Sequence, residues 1–266
     1  MIKIITMNEL QRGYWNGMAD RYQSEMEISV DDFHYGPQIP GESMLQMLPP
    51  FIEGQRALEL GCGAAQNSIW LARQGVECVA IDIAAEQLRH AQALAQKHKV
   101  KIEFICKPLE SALAEVEGTF DFIHSSHALE FVDNPAAIIS EAATRLKAGG
   151  TLVISTVHPL YNGEWVEGVD DTGGSDGSGL FLRDYFMPPD DIRFDGERVE
   201  AVSRAYPVSA WFGWLREAGL EVVHLAEPAA VEDGEATPYT SDDWAHHEGM
   251  LHAIPGTVIV VARKRA

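Results

Sequence analysis

Basic residues are scarce in this chain. The 20 Lys+Arg stand against 40 Asp+Glu, a formal net charge of -20 at pH 7. That balance argues against the basic face on which nucleic-acid binders rely. The shortage is sharpest between His158 and Gly256, where 20 acidic residues meet 5 arginines and no lysine. Net charge speaks first to solubility, so a solvated acidic face explains most of it; the sharper reading is a preference for neutral or cationic ligands. Cysteine is scarce as well. Cys62, Cys78 and Cys106 form no CxxC pair, and an odd count does not make a disulfide framework. They are expected as buried thiols. His246-His247 and His252 lack the cysteines or spaced carboxylates of a metal site, so no metal is expected. No apolar run approaches the length of a membrane span. The start, Met1 to Met7, is too short an apolar run for a signal peptide and has no small-residue cleavage site. The expectation is a cytoplasmic protein with neither membrane nor nucleic acid as partner.

What the chain does have is 266 residues, enough for a sizeable core, and an ordered alternation of patterns. Leu10, Tyr14, Trp15, Met18 and Tyr22 recur at helical spacing, followed by a loop with Gly36-Pro37 and Pro40-Gly41. A short helix is expected near Glu42 to Leu48. Then strands at 56–60, 77–81, 102–106, 120–124 and 151–157 alternate with helices at 66–74, 86–98 and 136–146. Strands this apolar, joined by helices, predict a doubly wound parallel sheet covered on both faces. After His158 the alternation stops for about fifty residues, including the glycine-rich run 170–179, and a long insertion of this kind is usually a binding segment. A helix at 209–218 and strands at 220–224 and 257–263 complete the pattern, the last strand antiparallel, with a short helix possible within 241–251. Four stretches are thus expected: an N-terminal helical lid (1–50), a Rossmann-like core (51–157), a cap that binds the acceptor (158–206) and the rest of the core (207–266).

The stretch Glu59-Leu60-Gly61-Cys62-Gly63-Ala64-Ala65 carries the strongest chemical signal. Glycine lets the backbone approach a ligand that a Cβ would push away. The turn leads to a helix N-terminus near Gln66, and Asp82, 21 residues beyond Gly61, ends the next strand. In dinucleotide folds an acid at about that distance binds ribose hydroxyls. A nicotinamide site is disfavoured, because GxGxxG would need glycine where Gln66 stands, and Glu59 would repel a pyrophosphate while accepting hydrogen bonds from an ammonium group.

Glu59-Leu60-Gly61-Cys62-Gly63 resembles the first motif of the class I S-adenosylmethionine-dependent methyltransferases. Val79 to Ile83 resembles their second motif, Phe120 to Glu130 the fourth-strand motif, and Leu146 to Leu152 the "LKPGG" turn. The resemblance is to the small-molecule group of that family (type 11, UbiE-like). It implies a seven-stranded, mostly parallel sheet with an antiparallel last strand, and S-adenosylmethionine as cofactor, leaving S-adenosylhomocysteine as product. By the same resemblance Glu59, Gly61, Cys62 and Gly63 hold the methionine part, and Asp82 takes the ribose. Ile83, Leu109 and Glu110 then flank the adenine, and Ser125 lies under the carboxylate. Gln66, Asn67 and Gln87 face the cofactor, with Tyr14, Trp15 and Tyr22 as an aromatic lid. The family's pattern is broken at three places. Ala65 replaces a glycine, a mild change if its φ stays negative; Pro108 stands where an adenine-binding acid is usual; Phe131 replaces a histidine.

Methyl transfer needs alignment above all, with a base for a hydroxyl acceptor. His158, directly after a strand and stiffened by Pro159, is the first candidate base, with anchoring of the cap as its rival role. His127 is the second, with a structural hydrogen bond as its rival. His34, Tyr35, Tyr161, Trp165, Tyr185 and Phe186 are candidates to line the acceptor side, aromatic rings being suited to a planar substrate. The expected function is methyl transfer to the O or N of a small molecule. A noncatalytic cofactor-binding subunit is the alternative.

Overall fold

A computed structural model of the chain describes residues 5–166, 179–188, 190–232, 235, 237–241, 244 and 248–266. The expected glycine-rich run after 169 and the pair His246-His247 lie outside the described residues, apart from Gly179. The helices are α1 Met7–Glu25, α2 Glu42–Leu45, α3 Gln66–Ala72, α4 Ala85–His98, α5 Leu109–Glu115, α6 Pro135–Arg145 and α7 Val208–Glu217. The strands are β1 Glu27–Ile28, β2 Arg56–Leu60, β3 Glu77–Asp82, β4 Ile102–Cys106, β5 Phe120–Ser126, β6 Leu146–Val157, β7 Glu164–Val166, β8 Gly179–Phe181, β9 Asp191–Asp195, β10 Arg198–Ser203, β11 Leu220–Ala226, β12 Tyr239–Thr240 and β13 Thr257–Lys264. A helical turn at Glu248–Leu251 covers part of the helix expected there.

Seven strands form one sheet in the order β11-β13-β6-β5-β2-β3-β4. β2 pairs in parallel with β3 on one side and with β5 on the other, and only β13 runs against its two neighbours. The fold is therefore the Rossmann-like one expected, with the last strand reversed. Side chains alternate across the strands. Leu58 and Leu60 face the cluster built with Leu113, Ile138 and Trp211 under α5, α6 and α7. Ala57 and Phe122 face the opposite cluster with Phe33, Tyr35 and Leu71. Winding proceeds from β2 outward to β4 and then returns to β5, which leaves a crevice at the carboxyl ends of β2 and β5.

Two features depart from expectation. Helix α5 was not anticipated; it starts directly after Pro108, which sits at its N-cap. The insertion after β6 holds two hairpins, β7–β8 and β9–β10, and β10 lies along α1. Gln11 Nε2 donates to the Val202 carbonyl across that contact at 2.6 Å. Helix α1 begins with a reciprocal cap, Thr6 with Glu9, and is clasped to α4 on its other side. There the Glu86 amide donates to Asn16 Oδ1 at 3.0 Å, and Asp20 pairs with Arg89 and His90.

Candidate functional site

The crevice opens into a cleft enclosing about 980 Å³ of empty space, its mouth included. The glycine turn forms its floor. The Gly61 and Cys62 amides both donate to the Ile81 carbonyl at 2.9 Å, and the Gly63 amide donates to Asp82 Oδ2 at 2.8 Å. The Ser68 amide, in the first turn of α3, donates to Glu59 Oε2. These four N–H groups are thus spent inside the protein, and the turn is poorly equipped to cradle a pyrophosphate. Gly61 has φ +74°, and a Cβ there would lie 2.3 Å from Ala128 Cβ. Gly63 has φ +53°, with only Gln87 Oε1, at 3.9 Å, near the space of its missing Cβ. One glycine lets the turn pack; the other leaves room for a ligand.

Glu59 is the centre of the electrostatics. It is buried on the cleft wall, and burial pushes its carboxyl up to about 8, against the opposing effect of hydrogen bonds from Ser68. Among the described residues its one titratable nitrogen neighbour is His124, whose Nδ1 lies 3.9 Å from Oε1. Burial drives His124 down to about 3, so it is neutral. A buried carboxyl without a cation fits a site that awaits one. Asp82 behaves similarly: burial raises it to about 6, against donation from the Ala84 and Gly63 amides. Gln66 Nε2 donates to Gln23 Oε1, and Gln23 Nε2 donates to Gln87 Oε1 at 3.0 Å, which ties α3, α1 and α4 together around the cleft. Gln87 Nε2 is buried without a partner among the described residues. The open space at Gly63, the cation-seeking Glu59 and this spare amide donor fit an aminoacyl nucleoside.

Ten residues expected to bind cofactor line this one cleft: Tyr22, Glu59, Gly61, Cys62, Gly63, Gln66, Asp82, Ile83, Gln87 and Leu109. Four lie elsewhere. Tyr14 is about 100° round the helix from Trp15 and accepts from Arg193 Nη1. Asn67 bonds both backbone groups of His34 and so holds a loop. Glu110 points to solvent on α5. Ser125 donates to the Leu60 carbonyl, and by strand alternation it is Ser126 that meets the cleft.

Both candidate bases have their ring nitrogens engaged by other groups of the protein. His158 Nδ1 accepts from the Leu160 amide and its Nε2 meets Glu227 Oε1 at 2.8 Å, so it caps a turn and anchors the segment. Its ring lies outside the cleft, and burial lowers its pKa in spite of Glu227. His127 does line the cleft, yet its Nε2 meets Thr257 Oγ1 at 3.1 Å and its Nδ1 meets buried Glu130 at 3.2 Å. Of the acceptor-side candidates, His34 lines the cleft. Tyr35 is wholly buried, its hydroxyl donating to Glu42. Tyr161 stacks on Trp244, Trp165 pairs across the β7–β8 hairpin with Leu180, and Tyr185 packs on the outward-facing Phe186. Among the described residues, none from 158–206 lines the cleft; the insertion backs α1 instead.

Trp15, expected in the aromatic lid, lines the cleft, and so do Gln11, Phe131 and Tyr239, which were not expected to bind. For α1 a signal existed: Asn8, Gln11, Trp15 and Tyr22 fall on one face at helical spacing. For Tyr239 there was none, because it arrives through pairing of β12 with β1, far away in sequence.

Comparison with known proteins agrees with this architecture. The family described as "Methyltransferase domain" matches residues 33–225. The chain is 35% identical over 130 residues to a ubiquinone biosynthesis O-methyltransferase of Xylella fastidiosa, a match covering 47% of this chain and 53% of the relative. It thus spans about half the length of the curated relatives it matches. An S-adenosylmethionine-dependent methyltransferase structure from Mesorhizobium loti superposes with a TM-score of 0.61 at 22% identity, over 84% of this chain and 96% of that one. The [4+2]-cyclase SpnF superposes with a TM-score of 0.61 at 16% identity, over 98% and 97%. Shared fold alone therefore does not fix the reaction. With its motifs in register and the family match spanning most of its length, the chain belongs to the methyltransferase-domain family, with the fold of the class I S-adenosylmethionine-dependent methyltransferases.

Proposed function

We propose that the protein transfers a methyl group from S-adenosylmethionine to an oxygen of a small-molecule acceptor. The observation that carries this reading is Glu59: a buried carboxyl on the cleft wall, held protonated for want of a cation, where the ammonium of the cofactor's methionine part would sit. Asp82 would accept from the ribose hydroxyls while fixing the Gly63 amide, and Ile83 with Leu109 would enclose the adenine. Bound there, the cofactor supplies an electrophilic methyl on a sulfonium, whose carbon–sulfur electron pair stays on sulfur after transfer. The protein's part is alignment and water exclusion, with α1 clasped over the cleft between α4 and β10. The hydroxyl proton would leave to water at the mouth. Oxygen is favoured because the matched relatives are named O-methyltransferases.

Calorimetry with S-adenosylhomocysteine tests the cofactor reading. Affinity should rise between pH 6 and 8 as Glu59 becomes free to ionise, and Glu59→Gln should flatten that rise. Tritiated methyl transfer into a metabolite extract tests the activity. Binding without transfer would instead favour the noncatalytic subunit.

A further inference from the structure

The cofactor residues occupy the part of the cleft over β2, β3 and the start of α5. The remainder lies over the end of β5, and its wall is a continuous arc of rings. His34 meets Tyr239 edge to face at 5.2 Å, and the Tyr239 and Tyr22 hydroxyls touch. Trp15 meets Tyr22 at 5.5 Å and Phe131 at 5.3 Å, again edge to face. All five rings line the cleft, yet they come from α1, a loop, a 3-10 turn at Leu129–Phe131 and β12. No Lys or Arg is among the described lining residues. The guanidinium of Arg193 lies 5.4 Å from the Tyr14 ring centroid and 5.9 Å from that of Phe131, and Arg193 itself is not a lining residue.

Two polar atoms on this side are buried without a partner among the described residues, His34 Nδ1 and Gln11 Oε1. Burial keeps the His34 ring neutral, pushed down to about 3 with some help from His127. An amide oxygen accepts only, so Gln11 asks for a donor; a neutral imidazole nitrogen donates or accepts according to tautomer. A hydroxyl can answer both, whereas a carboxylate cannot donate. A carboxylate would also be buried beside Glu59 and Asp82 with no lining lysine or arginine to offset its desolvation.

We infer that this arc is the acceptor subsite, and that it selects an uncharged, planar, hydroxyl-bearing ring against an anionic one of the same shape. The inference rests on the cleft being a cofactor-and-acceptor site, and it names the five rings with Gln11 as the residues that set acceptor choice.

Matched probes test it. Calorimetric titration with 2-naphthol and 2-naphthoate, each with and without saturating S-adenosylhomocysteine, should show naphthol binding at least tenfold tighter. His34→Phe, which keeps a ring and removes both nitrogens, should weaken naphthol about tenfold and leave S-adenosylhomocysteine within twofold, which also confirms that the variant is folded. Equal or tighter binding of naphthoate overturns the inference, as does an unchanged naphthol affinity in a folded His34→Phe. Absence of S-adenosylhomocysteine binding would sink the functional reading instead, and the titrations without it would still judge the arc. If His34→Phe fails to fold, the two probes on the wild-type protein decide alone.

Discussion

The two ends of the cleft are built by different means. The end proposed for the cofactor comes from three short stretches, 59–66, 82–87 and 108–109, each at or just after the end of a strand of the parallel sheet. Its geometry is fixed locally, by amides donating to Ile81 and Asp82 one strand away. The ring-lined end brings together residues 11, 15, 22, 34, 131 and 239 from separate segments, held by packing and by the β1–β12 pair. A site made of backbone turns tolerates little change at a few positions. A site made of packed rings can change its side chains without touching the sheet, as suits a fold that meets many acceptors.

The largest expected effect breaks the first kind of construction. Gly61→Ala would place a Cβ 2.3 Å from that of Ala128 at a φ of +74°. Overpacking costs about 1–3 kcal/mol and a left-handed non-glycine residue about 1–2. Melting should show a loss of about 2–5 kcal/mol, with S-adenosylhomocysteine binding abolished at accessible concentrations. Retention of both would show that the turn is softer than its hydrogen bonds suggest.

Glu59→Gln comes next. Hydrogen bonds to charged groups contribute about 1.5–3 kcal/mol, so affinity should fall roughly 10- to 100-fold at pH 8. The pH dependence has a definite sign. Burial raises Glu59 from 4.5 to about 8 and Asp82 from 3.8 to about 6. Within those windows the native state holds protons that the unfolded chain has released, so stability without ligand falls as pH rises from about 4 to 8. A cationic ligand favours ionised Glu59 and releases its proton. The melting-temperature gain from S-adenosylhomocysteine should therefore be larger at pH 8 than at pH 6, and Glu59→Gln should remove most of the difference. An equal gain at both pH values in the wild type would mean that no cation meets Glu59.

The contrast between the ends also decided how much the sequence made legible. Strand alternation, Glu59-x-Gly61-x-Gly63 and Asp82 follow local rules of periodicity and turn chemistry. Helix α5 escaped because Pro108 was read as a departure from a binding motif rather than as a helix cap. Tyr161, Trp165, Tyr185 and Phe186 are drawn to the site because aromatic residues in a long insertion suggest a substrate, yet Tyr161 stacks on Trp244, Trp165 pairs with Leu180, and Tyr185 packs on the exposed Phe186. Which ring reaches the cleft depends on contacts between segments that no local pattern encodes, and Tyr239 is the plainest instance.

His158→Ala sharpens the comparison on the side of the insertion. Both ring nitrogens are committed, to Leu160 and Glu227, so the residue should matter to stability and not to the site. Loss of a capping acceptor costs about 0.5–2 kcal/mol. Melting should fall by that amount while S-adenosylhomocysteine affinity and methyl transfer stay within twofold. A tenfold loss of turnover at unchanged stability would return His158 to the chemistry and place the insertion in the acceptor site.

The smallest expected effect tests how far local geometry governs the cofactor end. Ala65 was expected to be a mild replacement for glycine provided its φ stayed negative, and it does not: φ is +59° and ψ +34°, at the N-cap of α3. Left-handed backbone costs a non-glycine residue about 1–2 kcal/mol. Against that, its methyl is fully buried with Cys62, Ala80, Leu88 and Ala91, and burial of such a group stabilises by about 0.8 kcal/mol. Alanine also limits the freedom of the unfolded chain relative to glycine, by roughly 0.4–1 kcal/mol. The opposing effects nearly cancel, so Ala65→Gly should change stability by no more than about 0.5 kcal/mol and cofactor affinity by no more than twofold. A gain above about 1 kcal/mol would show that backbone strain dominates this turn. A loss of that size would show that packing against α4 does, and the cofactor end would then resemble the ring-lined end more closely than its motif suggests.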